Sequence, residues 1–345
     1  MYSNMNQFME TIQYDLQERL SRMYPDTRVE QQEVNKLQGK SYRGLMIRQD
    51  GHTASPVFNM DQLYEQLSSK AYDSVLDDLV KQAVELIENP LNIIPEEFMD
   101  YEFMKDKLMA QVVSAKDNEA RLSELPHREM KDMAVIYRFM LGEGDMGTMS
   151  ATVNNAMLET YGISPEQLHE DTMRAMQENH TYSIRPLGSV LAEMDPGADG
   201  SYGAPGLYVA TMDTKMYGAG VITQPDFMER AAETVGGDFF VLPSSVHEVL
   251  VFRDDGLTDV EQLQQMVMNI NEGFLDPSDK LTDNVYHYDA DEHVFETGKE
   301  YSERMEERAL GKRESVLQDL ADQKQKVQEH APKARSSPEK GGEVL

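Results

Sequence analysis

Two apolar runs, Phe239 to Leu242 and Val246 to Phe252, are separated by Pro243-Ser244-Ser245. Both are rich in Val and Phe and too short for independent helices, and Pro and Ser make the turn between them. They read as neighbouring strands of a hairpin, which must pair antiparallel. Strands are also expected at Leu207 to Met212 and Tyr217 to Thr223. Pro225 opens a helix with Phe227, Ala231 and Val235 on one face, and Gly236-Gly237 closes it. Thr258-x-x-Glu261 reads as a capping box for a helix with Val260, Leu263, Val267, Ile270 and Phe274 turned inward. The order strand–strand–helix–strand–strand–helix, with a small hairpin at Val285 to Tyr288 and Val294-Phe295, excludes a parallel doubly wound sheet. The fold class is α+β: mixed, mainly antiparallel sheets with packed helices, a C-terminal extended helix and a disordered tail.

The first half fits the same class. Phe8, Ile12, Leu16, Leu20 and Met23 recur at helical spacing over residues 6–24, which Pro25 ends. Val29 to Val34 and Tyr42 to Arg48 read as a hairpin turning at Leu37 to Lys40, with a short strand at Pro56-Val57-Phe58. Residues 60–88 read as a helix in two pieces broken near Ser68-Ser69, and 104–115 as a strand followed by a loop at Asp117-Asn118-Glu119. The run from Asp132 to Leu141 is dense enough for a strand buried on both faces. A helix is expected over 149–160, and Ser164-Pro165-Glu166-Gln167 caps another. Gly and Pro at 196–206 mark a loop. The expected divisions are an N-terminal α+β domain at 1–125, a second at 126–298, a charged helix at 299–330 and a tail at 331–345.

Composition removes whole classes of chemistry. The chain has no Cys, so disulfides, thiolate metal sites and cysteine nucleophiles are excluded. It carries 62 Asp and Glu against 32 Lys and Arg, a net charge of −30, which argues against direct nucleic-acid binding. Residues 254–296 hold 12 acids and one base, Lys280, a net of −11. The first residues show no basic n-region or apolar h-region, and no stretch is long and apolar enough to cross a membrane, so a cytoplasmic protein is expected. The 24 Met fall at helical core positions such as Met23, Met173 and Met176.

Three clusters carry chemistry in outline. Gly142, Gly144 and Gly147 spell G-x-G-x-x-G after an apolar run, as a dinucleotide fingerprint would. Glu143 and Asp145 would set two carboxylates against a pyrophosphate, so a glycine-rich strand-to-helix turn is favoured and no cofactor is expected. Ser245, His247 and Glu248 resemble a catalytic set, but on a strand Ser245 and His247 stand about 7 Å apart, too far for a nucleophile–base bond. A buried polar pair of His247 and Glu248 is the structural alternative. His287, Asp289, Asp291 and His293 would share a face if extended and offer a divalent cation site. Val294 stands where an EF-hand needs Gly, and Val251 where H-E-x-x-H needs its second His, so the other reading is a solvated acidic hairpin.

The segment Phe239-Phe240-Val241-Leu242-Pro243-Ser244-Ser245-Val246-His247-Glu248-Val249-Leu250 resembles the hallmark of domain-of-unknown-function family 5688. Tyr42 to Arg48, Leu125 to Glu129, Tyr217 to Gly220 and Asp283 to Asp289 are similar to further segments of it, so that the likeness spans about residues 6–296. The resemblance implies an origin in anaerobic intestinal bacteria and an association with mobile elements, and it implies no activity. Residues 132–272 are more faintly similar to another uncharacterised bacterial family with a V-x-P-S segment, here Val241 to Ser244. The leading expectation is a non-enzymatic, macromolecule-binding protein with a protein partner. The alternatives are an enzyme with a pocket near His247 and Glu248, and an acidic nucleic-acid mimic acting on a DNA-binding partner.

Overall fold

The computed structural model describes residues 5–329 except 36, 38–40, 53–54, 90–94, 145–146, 195–204, 215 and 244. The chain divides into two compact units, Met1–Phe295 and Glu296–Leu345. The expected loop at 196–206 and the tail at 331–345 fall almost wholly outside the described residues.

The first helix, α1 (Met5–Met23), buries Phe8, Ile12, Leu16 and Leu20, as the helical spacing requires. Met23 is 49 % exposed rather than part of the core, because it is the last residue of the helix. The strands β1 (Thr27–Asn35), β2 (Ser41–Gln49) and β3 (Val57–Asn59) form an antiparallel sheet in that order, with Val29 opposite Ile47. Two helices, α2 (Met60–Gln66) and α3 (Tyr72–Glu88), close a separate core with α1 over this sheet.

Two short helices, α4 (Pro95–Phe98) and α5 (Tyr101–Met104), lead into β4 (Leu108–Ser114). The expected loop at Asp117-Asn118-Glu119 is instead a 3₁₀ turn over Lys116–Asn118 and a one-turn helix, α6 (Glu119–Leu122). Asn118 Nδ2 donates to Ser114 O at 2.8 Å, which winds the segment up. The strands β5 (His127–Met130), β6 (Met133–Gly144) and β7 (Gly147–Thr152) join β4 in a four-stranded sheet with β6 inside. Met133, Val135, Tyr137 and Phe139 face the main core, while Ala134 and Ile136 face a smaller one, so β6 is buried on both sides. The β4–β6 ladder runs across residue 125, where a domain boundary was expected.

The helix expected over 149–160 is two elements. Gly147–Thr152 pairs with β6 as a strand, and only then does α7 (Asn155–Tyr161) begin, capped by Asn154. Helix α8 (Pro165–Asn179) follows, with Ser164 Oγ accepting the Gln167 N–H at 3.2 Å.

The remaining strands build a six-stranded sheet. They are β8 (Tyr182–Pro186), β9 (Leu207–Met212), β10 (Phe239–Leu242), β11 (Val249–Arg253), β12 (Tyr286–Asp289) and β13 (Val294–Thr297), in the order β13-β12-β10-β11-β9-β8. Helix α9 (Leu187–Met194) follows β8, α10 (Phe227–Val235) precedes β10, and α11 (Val260–Gly273) follows β11. The main core lies between this sheet and the four-stranded one, joined by side chains of α8 and α10. The fold is therefore α+β, with mainly antiparallel sheets.

Three local expectations change. Tyr217 to Thr223 is no strand: Gly218–Thr223 is a buried 3₁₀ helix. The cap of α11 is Asp259, whose Oδ1 accepts from Glu261 N–H at 2.9 Å, rather than Thr258. Phe274 is 87 % exposed because α11 has already ended at Gly273. In the second unit, α12 (Gly298–Glu329) is the expected charged helix, and Leu310, Leu317 and Leu320 stand exposed along it.

Candidate functional site

A cavity of about 340 Å³ opens where the edge of the four-stranded sheet meets the loops of the six-stranded one. Its polar lining comes from Gln111 of β4, Arg121 of α6, Arg138 of β6, Thr152 of β7, His247, and Ser278-Asp279. Tyr217, Met216, Val246 and Leu37 supply the apolar and aromatic wall.

The backbone explains why these segments meet. Thr211 Oγ1 donates to His247 O at 2.8 Å, and Ala219 N–H donates to Val246 O at 3.2 Å. Val246 N–H in turn donates to Asp279 O at 2.8 Å. These bonds pull residues 246–248 out of the strand expected from Val246, and β11 starts only at Val249. The Tyr217-Gly218-Ala219-Gly220 segment fits this junction because two of its residues lack a side chain. A Cβ on Gly218 would lie 2.3 Å from His247 O, and one on Gly220 would lie 2.6 Å from Ala110 O. Tyr217 itself adopts a left-handed backbone at φ 57°, strained for a residue with a Cβ.

Arg138 projects from the same face of β6 as Ala134 and Ile136, at the end where apolar neighbours run out. Its Nη1 donates to Gln111 Oε1 at 3.2 Å and to Thr152 Oγ1 at 2.8 Å. Its Nε and Nη2 donate to Ser150 Oγ at 3.1 and 2.8 Å. The guanidinium lies 4.8 Å from the centre of the Tyr217 ring, a cation–π contact. All of these partners are neutral, and among the described residues no carboxylate forms an ion pair with Arg138. Burial therefore lowers its pKa below the ordinary arginine value, but an arginine stays charged.

The other face of the site is an imidazole. His247 stacks on Tyr217 with ring centres 6.3 Å apart and planes at 20°. Its Nε2 lies 3.6 Å from Asp279 Oδ1, and the two side chains are 38 % and 35 % exposed. The third cation, Arg121, is paired with Glu124 at 2.7 Å, and its buried Nε has no acceptor among the described residues.

The residues singled out by sequence separate under this geometry. Ser245 is buried, and its Oγ accepts the His247 backbone N–H at 3.0 Å, which holds the turn there. Glu248 is exposed and does not form a buried pair with His247. The glycines Gly142, Gly144 and Gly147 belong to the β6–β7 hairpin, with Gly142 at φ 129° and Gly144 opposite Gly147. A strand follows them where a dinucleotide site, or the expected strand-to-helix turn, needs a helix N-terminus. His287 is sealed in the sheet, its Nε2 3.2 Å from Asp254 Oδ2. Asp289 Oδ1 accepts the Glu292 N–H, His293 Nδ1 meets Tyr288 Oη at 2.9 Å, and Asp291 is exposed. These four residues do not converge, and no other group of three or more acids and histidines among the described residues is arranged to hold a metal ion.

A model of a family described as a family of unknown function, DUF5688, matches residues 5–290. The chain belongs to that family. No curated protein and no solved structure matches the chain. Every residue of the cavity, from Leu37 to Asp279, lies within the extent of DUF5688, whereas α12 lies beyond it.

Arg138, Tyr217 and Asp279 were not singled out by sequence. Arg138 had a signal: it is the one base in the apolar run from Met133 to Leu141, read as buried on both faces. A cation inside such a strand must have a polar reason to be there. Asp279 had none, since its role depends on a loop bond to Val246.

Proposed function

We propose that this protein works through the His247 cavity, taking in a small polar molecule and exchanging a proton with it at His247. The observation that carries this reading is the imidazole itself: it lines a cavity of about 340 Å³, beside Asp279 at 3.6 Å, rather than lying in a dry core. A histidine next to a carboxylate and open on its other side can act as a general base or acid. A pocket of this size takes a molecule, not a macromolecular surface.

The acidic segment at 254–296 gives less support to a nucleic-acid mimic. Asp254 faces His287, Asp283 takes Lys280 and Asn271, and Asp259 caps α11. Carboxylates spent on such contacts are not free to form a regular phosphate-like array.

The test is a screen of small polar molecules followed at the His247 imidazole resonances. Molecules that shift these resonances in the full chain, and lose affinity with His247→Asn, support the reading. A screen in which no molecule perturbs His247 overturns it. A second reading, a protein partner at α12, is favoured by the exposed Leu310, Leu317 and Leu320, spaced seven and three residues apart. The near balance of charge along that helix suits a second copy of the chain. An unchanged mass in solution after removal of α12 would end it.

A further inference from the structure

The charges around the cavity allow a sharper statement about what enters it, resting on the pocket reading above. Arg121 is neutralised locally by Glu124 at 2.7 Å. That leaves Arg138, with its neutral partners Gln111, Ser150 and Thr152, as the uncompensated cation. Four of its five N–H groups are used, and one on Nη2 has no acceptor among the described residues. In a chain with about twice as many acids as bases, this is an unusual position to leave without a carboxylate.

The remaining charge depends on His247. Its neighbours from the packed elements are Asp279 at 3.6 Å and the Tyr217 ring at 6.3 Å, and Arg138 lies against that same ring. Arg121 lines the same cavity, Glu248 follows in the chain but is exposed, and Lys280 is engaged by Asp283 at 2.7 Å. With a neutral imidazole, Asp279 cancels Arg138 and the cavity has no net attraction for an anion. With a protonated imidazole, Asp279 is cancelled instead and the charge of Arg138 stands alone. All three groups line the same cavity, so their charges act on a ligand there together.

We propose that the cavity binds a small oxyanion, a carboxylate, phosphate or sulfate group, at Arg138, and that the anion enters together with one proton, which is taken up by His247 Nε2 or Nδ1. The anion stabilises the imidazolium, and by reciprocity the imidazolium raises affinity for the anion. Because a proton is bound together with the anion, affinity falls as pH rises. The limit for one proton is about tenfold per pH unit.

Sulfate is the probe, because its charge is constant over this range. Binding to the full chain is measured at about pH 6 and about pH 8, with proton uptake read from calorimetry in buffers of different ionisation enthalpy. The expected result is sulfate binding that weakens about tenfold or more between these pH values, with close to one proton taken up per ion in the upper part of the range. Arg138→Gln should abolish it. Asp279→Asn should remove the requirement for the proton, so that sulfate binds at the higher pH about as well as the unaltered chain binds at the lower. Sulfate binding with no proton uptake and the same pH profile in Asp279→Asn would overturn the proton coupling while leaving the pocket reading intact. Absence of sulfate binding at either pH, or binding that survives Arg138→Gln, would overturn the oxyanion assignment. The pocket reading itself fails only in the screen with neutral and charged molecules alike.

Discussion

The junction that shapes the cavity rests on a glycine, and Gly218→Ala tests that directly. A Cβ at Gly218 would stand 2.0 Å from Thr211 Oγ1, 2.3 Å from His247 O and 3.1 Å from Met212 N. The first two atoms are partners in the 2.8 Å hydrogen bond that ties residues 245–248 to β9. The methyl group is therefore driven into that bond. Thr211 can rotate away only by giving the bond up, and the two backbone atoms cannot rotate at all. Overpacking of this kind costs about 1–3 kcal/mol, and the lost hydrogen bond about another 1 kcal/mol. The expected destabilisation is about 2–4 kcal/mol, even though replacing glycine by alanine in a helical backbone ordinarily gains about 0.5–1 kcal/mol. Gly273, in the last turn of α11, has nothing within 4 Å of its Cβ position and supplies the contrasting case. Urea unfolding followed by far-ultraviolet circular dichroism should show Gly218→Ala with a clearly lowered midpoint and Gly273→Ala unchanged or slightly raised. The His247 resonances should move in the first variant alone. A Gly218→Ala protein as stable as the parent would refute the close-approach argument.

Asp132 gathers Thr282 Oγ1 at 2.5 Å, Asn284 Nδ2 at 2.9 Å and the Tyr286 hydroxyl, so Asp132→Ala should cost about 3 kcal/mol in urea unfolding, and an unchanged midpoint would show the cluster to be idle. Ser164→Ala removes the α8 cap and should cost about 1 kcal/mol, with Ser164→Asp restoring most of it; equal stability of all three chains would count against the capping bond. Burial pushes the Tyr137 phenol up to about 12, and burial with Asp226 pushes Tyr182 to about 12. The folded chain holds both phenols neutral after the unfolded chain has begun to ionise, so stability should be full below about pH 10 and fall as pH rises toward about 12. Ultraviolet difference titration of the tyrosines checks this, and full ionisation near pH 10 without loss of structure would contradict it.

Most of the fold was legible because its signals are local. Helices α1 and α10 follow the spacing of their apolar residues, α8 follows its Ser164 cap, and the hairpins β1–β2 and β10–β11 follow from strand pattern and turn chemistry. The misreadings share one cause. Glycines such as those at 142–147 and 217–220 usually mark a turn into a helix or a strand continuing. In the first case β7 found a partner in β6, and in the second the backbone was drawn against Ala110 O and His247 O. Both outcomes depend on residues far away in the chain, which periodicity does not report. His247 was visible as a polar residue in an apolar stretch, but its surroundings were not, because β11 begins only at Val249 and leaves Ser245 in a turn and Glu248 exposed.

The sequence by itself determined the class of the fold, the absence of thiol chemistry and the anionic character of the chain, because period, composition and turn chemistry need no tertiary contact. Tertiary structure decided which residues share the cavity. Arg138 enters from the inner strand of one sheet, Tyr217 from a strained turn, His247 and Asp279 from loops of the other. An antiparallel bridge between Ser245 and Lys280, with its bond from Val246 N–H to Asp279 O, brings the last two together. Those residues are separated in sequence by up to about 140 positions, and only the packing of the two sheets through a common core makes them neighbours.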